Sequence, residues 1–97
     1  MSLKSLEPRA VWARFSDICA VPHPSHHEEA LAAWLLAWAQ AKGLEARVDS
    51  AHNVVIKKPA SRGKKASRGL ILQAHIDMVP QRASGSSHDF EADPIVP

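Results

Sequence analysis

Apolar residues recur at helical spacing through the first half of the chain. The first set begins after Pro8, a residue favoured in the first turn of a helix, and it continues to Cys19. Two prolines at alternate positions, Pro22 and Pro24, favour an extended backbone after it. The pattern therefore predicts one amphipathic helix that buries Cys19 and ends before Pro22.

A second helix is predicted downstream by a similar apolar stripe, which runs from Leu31 to Trp38. Ser25 and Glu28 precede it at the spacing of a capping box, in which the serine hydroxyl accepts a backbone N–H and the carboxylate reaches back. Gly43 follows this stripe and is expected to end the helix by adopting the left-handed conformation. At this spacing the tryptophans belong to a core-facing stripe.

The second half of the chain shows strand patterns. Residues 44–48 alternate between apolar and polar, residues 49–53 favour a turn, and residues 54–56 resume β character, which together predict an antiparallel hairpin. Residues 70–72 begin a continuously apolar strand of the kind that is covered on both faces. The expected fold is α/β, with two helices packed on a mixed sheet in the order α-α-β-β-β.

Length and composition narrow the class of protein. Ninety-seven residues make one small domain at most, and 45% hydrophobic residues suit a globular protein. No apolar run approaches the ~20 residues of a membrane-spanning helix, and the first residues lack a signal-peptide core. Cys19 is the single cysteine, so an intrachain disulfide is excluded. We expect a cytoplasmic protein that does not bind membranes.

The positive charge is concentrated in one segment. Half of the twelve bases lie between positions 57 and 68 without an acid among them, so the other six face all ten acids. A nucleic-acid surface would need interleaved aromatic residues or a recognisable motif, and this segment has neither. It is therefore predicted to be a solvated loop, and no nucleic-acid partner is expected. Its bases are Lys57, Lys58, Arg62, Lys64, Lys65 and Arg68.

The candidate chemistry lies at the end of the third apolar run. His75 and Asp77 are two residues apart, so on a strand they project from the same face, roughly 7 Å apart. A strand that ends there places both at the rim where open α/β sheets bind ligands. An imidazole that binds zinc needs an acceptor for its other N–H, and a carboxylate is a favoured one. Asp77 is suited to that role, to direct metal binding or to another contact, and the spacing does not decide among them.

The other histidines give weaker signals. His23 lies between prolines, and His26 and His27 begin a predicted helix, where adjacent residues do not face one another and cannot easily share a metal. We expect these three to be exposed or to act as helix caps. His52 and His88 are expected in a turn and a loop.

Several collinear segments make the sequence recognisable. The chain resembles the N-terminal part of the aminoacyl-histidine dipeptidases (Xaa-His or cytosolic non-specific dipeptidases), which belong to a co-catalytic zinc peptidase family that includes the carnosinases. The resemblance covers nearly the whole chain, and several motifs in order are more specific than His-x-Asp alone. The matching segments are residues 18–25, 27–29, 53–60, 72–81, 88–90 and 93–95.

The resemblance implies a zinc-exopeptidase-like catalytic domain that hydrolyses Xaa-His and other small unblocked dipeptides. By the family pattern, His75 looks like a ligand of one of two catalytic Zn²⁺ ions, for which Co²⁺ or Mn²⁺ can substitute, and Asp77 looks like the catalytic aspartate that orients it. The remaining ligands and the lid domain of the family's homodimers would lie beyond Pro97. We therefore expect residues 1–97 to be an inactive N-terminal fragment of that catalytic domain.

Two other functions remain open. One is a non-catalytic interaction module that retains the first part of the same fold. The other is nucleic-acid binding by the basic loop, which would weaken steeply with salt.

Overall fold

The computed structural model describes residues 2–97, in which a short 3₁₀ turn at Leu3–Ser5 precedes two α-helices and one β-hairpin. Helix α1 is Arg9–Cys19 and helix α2 is Glu29–Ala41. Strands β1, Glu45–Val48, and β2, Val54–Lys57, form a two-stranded antiparallel sheet. None of the helices formed by residues 2–97 has the length and apolar character that crossing a bilayer requires.

The chain divides into two compact units. The first contains residues 2–31 together with Asp77–Pro97, and the second contains Ala32–Ile76. The candidate residue His75 thus falls in the second unit and Asp77 in the first.

Helix α1 has the bounds that its sequence pattern predicts. Pro8 is the N-cap residue, and its carbonyl accepts hydrogen bonds from the backbone of Val11 and Trp12 at 3.1 and 3.3 Å. Cys19, near the end of the stripe, is buried, and burial raises the pKa of its thiol. The prediction that Cys19 packs in the core is confirmed, although Val11 remains 59% exposed.

Helix α2 ends as predicted but begins later. Gly43 has a φ of 73°, its N–H bonds to the Gln40 carbonyl, and the Leu44 N–H bonds to the Ala39 carbonyl, which is a Schellman ending. The helix begins only at Glu29, and the predicted capping box is wrong. Residues 24–27 form a turn ahead of the helix, and the Ser25 hydroxyl donates to Asp77.

The predicted hairpin is present, with Glu45 opposite Lys57 and Val48 opposite Val54. The third strand is not confirmed, since no strand pairing among residues 2–97 includes residues 70–76. A strand needs a neighbour for its backbone groups, and here Leu70, Ile71 and Leu72 are 82, 91 and 86% exposed. The basic segment is exposed throughout, as predicted, but its first residue, Lys57, belongs to strand β2 rather than to a loop.

The hairpin turn is organised by the Asp49 carboxylate. It accepts hydrogen bonds from the backbone N–H groups of Ala51 and Asn53 and from the Asn53 side-chain amide, each at 2.9 Å. The bond from the Asn53 side chain is the main cause that lowers the pKa of Asp49, and the backbone bonds add to it.

We expect the turn to lose stability in acid. The lowered pKa means that the stabilisation is complete above the ordinary aspartate value of about 3.9 and is lost as the pH falls through the folded value. Urea unfolding at about pH 5 and about pH 2.5 should therefore show a larger acid-induced loss in the native chain than in Asp49→Asn. Equal losses in the two proteins would contradict this role of Asp49.

Candidate functional site

A parallel backbone bridge joins the segment before α2 to the segment that follows the candidate motif. The Met78 N–H donates to the His23 carbonyl and the Ser25 N–H donates to the Met78 carbonyl, both at 3.0 Å. Proline at position 24 has no N–H to contribute, and its fixed φ suits this extended segment. The bridge therefore places Ser25 beside Asp77, although 52 positions separate them in the sequence.

Asp77 is half-buried and bonded to a serine. The Ser25 hydroxyl donates to Asp77 Oδ2 at 2.6 Å, a short distance typical of a hydroxyl bound to a charged carboxylate. The same hydroxyl lies farther, 3.4 Å, from the Met78 carbonyl oxygen. One oxygen of the candidate carboxylate is thus held in a defined position.

His75 lies outside any strand and is exposed. The expectation that it projects from a strand end beside Asp77 required a third strand, so that placement is not confirmed. Its role as a metal ligand remains a prediction from the resemblance.

His23 differs from its prediction, because its side chain is buried with 9% exposure rather than solvated. Its Nδ1 lies 2.6 Å from the Val21 carbonyl oxygen, so Nδ1 carries the proton and donates it. His26 is exposed and has a φ of 72°, and His27 pairs with Glu91 at 2.7 Å. The three histidines therefore occupy three different environments.

A cavity of about 530 Å³ adjoins the serine within the first unit. Ser25, His27 and Glu91 line it, together with Arg82 and His88. Much of its polar lining is already paired, since Arg82 Nη1 donates to the His88 carbonyl at 2.6 Å. The His88 ring also stacks edge-on against Phe90, with 4.6 Å between the ring centroids.

The described residues do not complete a metal site. Among residues 2–97, no three His, Cys, Asp or Glu side chains lie together in a way that could hold a metal ion. A catalytic zinc site uses three protein ligands, so the predicted ligand His75 would need further ligands from outside the described residues.

Comparisons with known proteins find similarity to two dipeptidases. No family model matches the chain. The cytosol non-specific dipeptidase of Escherichia coli K12 is 45% identical over 95 residues, which cover 98% of this chain and 20% of that protein. Aminoacylhistidine dipeptidase from Vibrio alginolyticus matches in its crystal structure with a TM-score of 0.92 and 48% identity, over 97% of this chain and 19% of that one. The predicted resemblance to the dipeptidases is confirmed.

The match has a defined extent. The chain spans about a fifth of the length of the dipeptidases that it matches. Sequence and backbone therefore both correspond to one segment of a dipeptidase, and four-fifths of those proteins has no counterpart in these 97 residues.

Sequence reasoning missed Ser25 as a partner of Asp77. The spacing of Ser25 and Glu28 fits a capping box, and that local pattern concealed the long-range contact. In the structure, Glu28 Oε1 accepts a hydrogen bond from the His26 N–H at 2.8 Å instead. The prolines around His23 were the available signal, because an extended segment can pair with another segment.

Proposed function

We propose that this chain contributes part of the catalytic domain of a metal-dependent dipeptidase, which hydrolyses Xaa-His and other small unblocked dipeptides. The observation that carries the proposal is the match over nearly the whole chain, at 45% and 48% identity, to two dipeptidases. The complete enzyme is proposed to be a cytoplasmic homodimer whose lid and dimerisation domain lies outside these residues.

Within that enzyme, His75 is proposed as a ligand of one of two Zn²⁺ ions, with Co²⁺ or Mn²⁺ as substitutes. Asp77, two residues later, is proposed as the catalytic aspartate. The exposure of His75 and the fixed carboxylate of Asp77 support these roles, because a ligand must be reachable and a catalytic group must be held. The other ligands would come from the remainder of the enzyme.

A chimeric enzyme tests this function. The 95 aligned residues of the E. coli dipeptidase are replaced by those of this chain, and hydrolysis of a Xaa-His dipeptide is measured with added Zn²⁺. We expect turnover by the chimera and none by residues 1–97 alone, because the described residues hold no complete donor set. Turnover by the isolated chain, or a folded chimera without turnover, would contradict the proposal.

The alternative function is a non-catalytic interaction module. The exposed apolar run at Leu70–Leu72 favours it, because this run could pair with a second copy of the chain. Sedimentation velocity on residues 1–97 separates the two functions. A stable dimer that dissociates in Ile71→Lys, together with an inactive chimera, would favour the module.

A further inference from the structure

We infer that Ser25 is a positioning residue for Asp77: its hydroxyl fixes the carboxylate in the orientation that catalysis needs. The inference rests on the proposed function, in which Asp77 is the catalytic aspartate. It assigns a functional role to the segment at 23–27, which the sequence pattern had given only a capping role.

The hydrogen bond is specific to one oxygen. Ser25 Oγ is 2.6 Å from Asp77 Oδ2 and 3.4 Å from the Met78 carbonyl, so the carboxylate is the preferred acceptor. The backbone of the same serine bonds to Met78, the residue directly after Asp77. Ser25 thus binds both the candidate carboxylate and the backbone that carries it.

The segment that presents Ser25 is fixed on both sides. Before it, His23 is buried and bonded to the Val21 carbonyl, and Pro24 has a restricted φ. After it, the His27 N–H closes a turn on the Pro24 carbonyl at 2.9 Å, with His26 at a φ of 72°. A positive φ is uncommon for residues other than glycine, although histidine is among those that adopt it more often.

A fixed donor matters because a carboxylate that acts in catalysis must keep one orientation. Residues that orient such groups through hydrogen bonds typically contribute about 10- to 100-fold to activity or metal affinity. Removing the hydroxyl leaves the Asp77 charge in place but takes away the hydrogen bond that Ser25 donates to Oδ2. The expected loss is therefore in kcat, with little change in KM.

The first test measures side-chain orientation on the full 97-residue chain by NMR. Three-bond couplings are used to determine χ1 of Asp77 in the native chain, in Ser25→Ala and in Ser25→Thr. One rotamer is expected in the native chain and in the threonine variant, which keeps the hydroxyl, and averaging is expected in the alanine variant. A single rotamer in Ser25→Ala, or averaging already in the native chain, would overturn the inference.

The second test measures kinetics in the chimera. Ser25→Ala is expected to lower kcat by about 10- to 100-fold and Ser25→Thr to restore most of it, whereas Ser67→Ala in the exposed basic loop leaves kcat unchanged. If kcat is unchanged in Ser25→Ala while Asp77→Asn is inactive, the role of Ser25 is contradicted but the proposed function is not. If Asp77→Asn keeps full activity, Asp77 is not the catalytic aspartate.

Discussion

Asp77→Asn is expected to lower kcat of the chimeric dipeptidase by at least about 100-fold, the upper end of the range for groups that orient metal ligands. Asparagine has nearly the same shape and can still accept a hydrogen bond from Ser25, so the local structure should persist. The change removes the negative charge, which is the property that a catalytic aspartate contributes. The measurement is steady-state hydrolysis of a Xaa-His dipeptide, with circular dichroism to confirm folding.

Asp17→Asn is the matched control for that variant. Asp17 lies on helix α1 and pairs with Arg14 at 3.3 Å, with 40% of its side chain exposed. Exposed ion pairs of this kind contribute roughly 0–1 kcal/mol to stability and have no reason to affect turnover. If Asp77→Asn keeps the kcat of the control, Asp77 is not catalytic.

Leu31→Ala is expected to destabilise the isolated chain by about 2–5 kcal/mol, the usual cost of removing a buried leucine side chain. Leu31 is 2% exposed and is the largest fully buried side chain among the described residues. The other buried apolar residues of the described chain, Cys19, Pro24, Ala32 and Ala39, all have smaller side chains. Small domains have only about 5–15 kcal/mol of stability in total.

Leu72→Ala supplies the comparison, because the same chemical change is made at a side chain that is 86% exposed. Surface substitutions usually change stability by less than about 0.5 kcal/mol. Urea unfolding followed by tryptophan fluorescence should give a much lower midpoint for Leu31→Ala than for Leu72→Ala. Similar midpoints would show that the core does not depend on Leu31.

The elements that could be predicted from the sequence are those specified by neighbouring residues. Gly43 ends α2 because it adopts the positive φ that a Schellman ending requires. The hairpin follows from short-range alternation and from the turn that Asp49 and Asn53 organise. In both cases the interacting groups lie within a few positions of each other.

The features that could not be predicted depend on distant residues. The contact between Ser25 and Asp77 spans 52 positions. The prolines beside His23 indicate that the segment is extended, but they do not indicate which distant residue it contacts. The apolar run that starts at Leu70 has the composition of a covered strand, yet a strand forms only where another segment pairs with its backbone. His23 is buried for the same kind of reason, since its segment pairs with Met78.

The most direct test compares turnover of a Xaa-His dipeptide by the chimera with turnover by its His75→Ala variant. His52→Asn serves as the control, because His52 has a φ of 65° and asparagine tolerates that conformation. We expect turnover by the chimera and by the control, and none by His75→Ala. Equal turnover by all three would contradict the claim that this chain supplies a metal ligand to a dipeptidase.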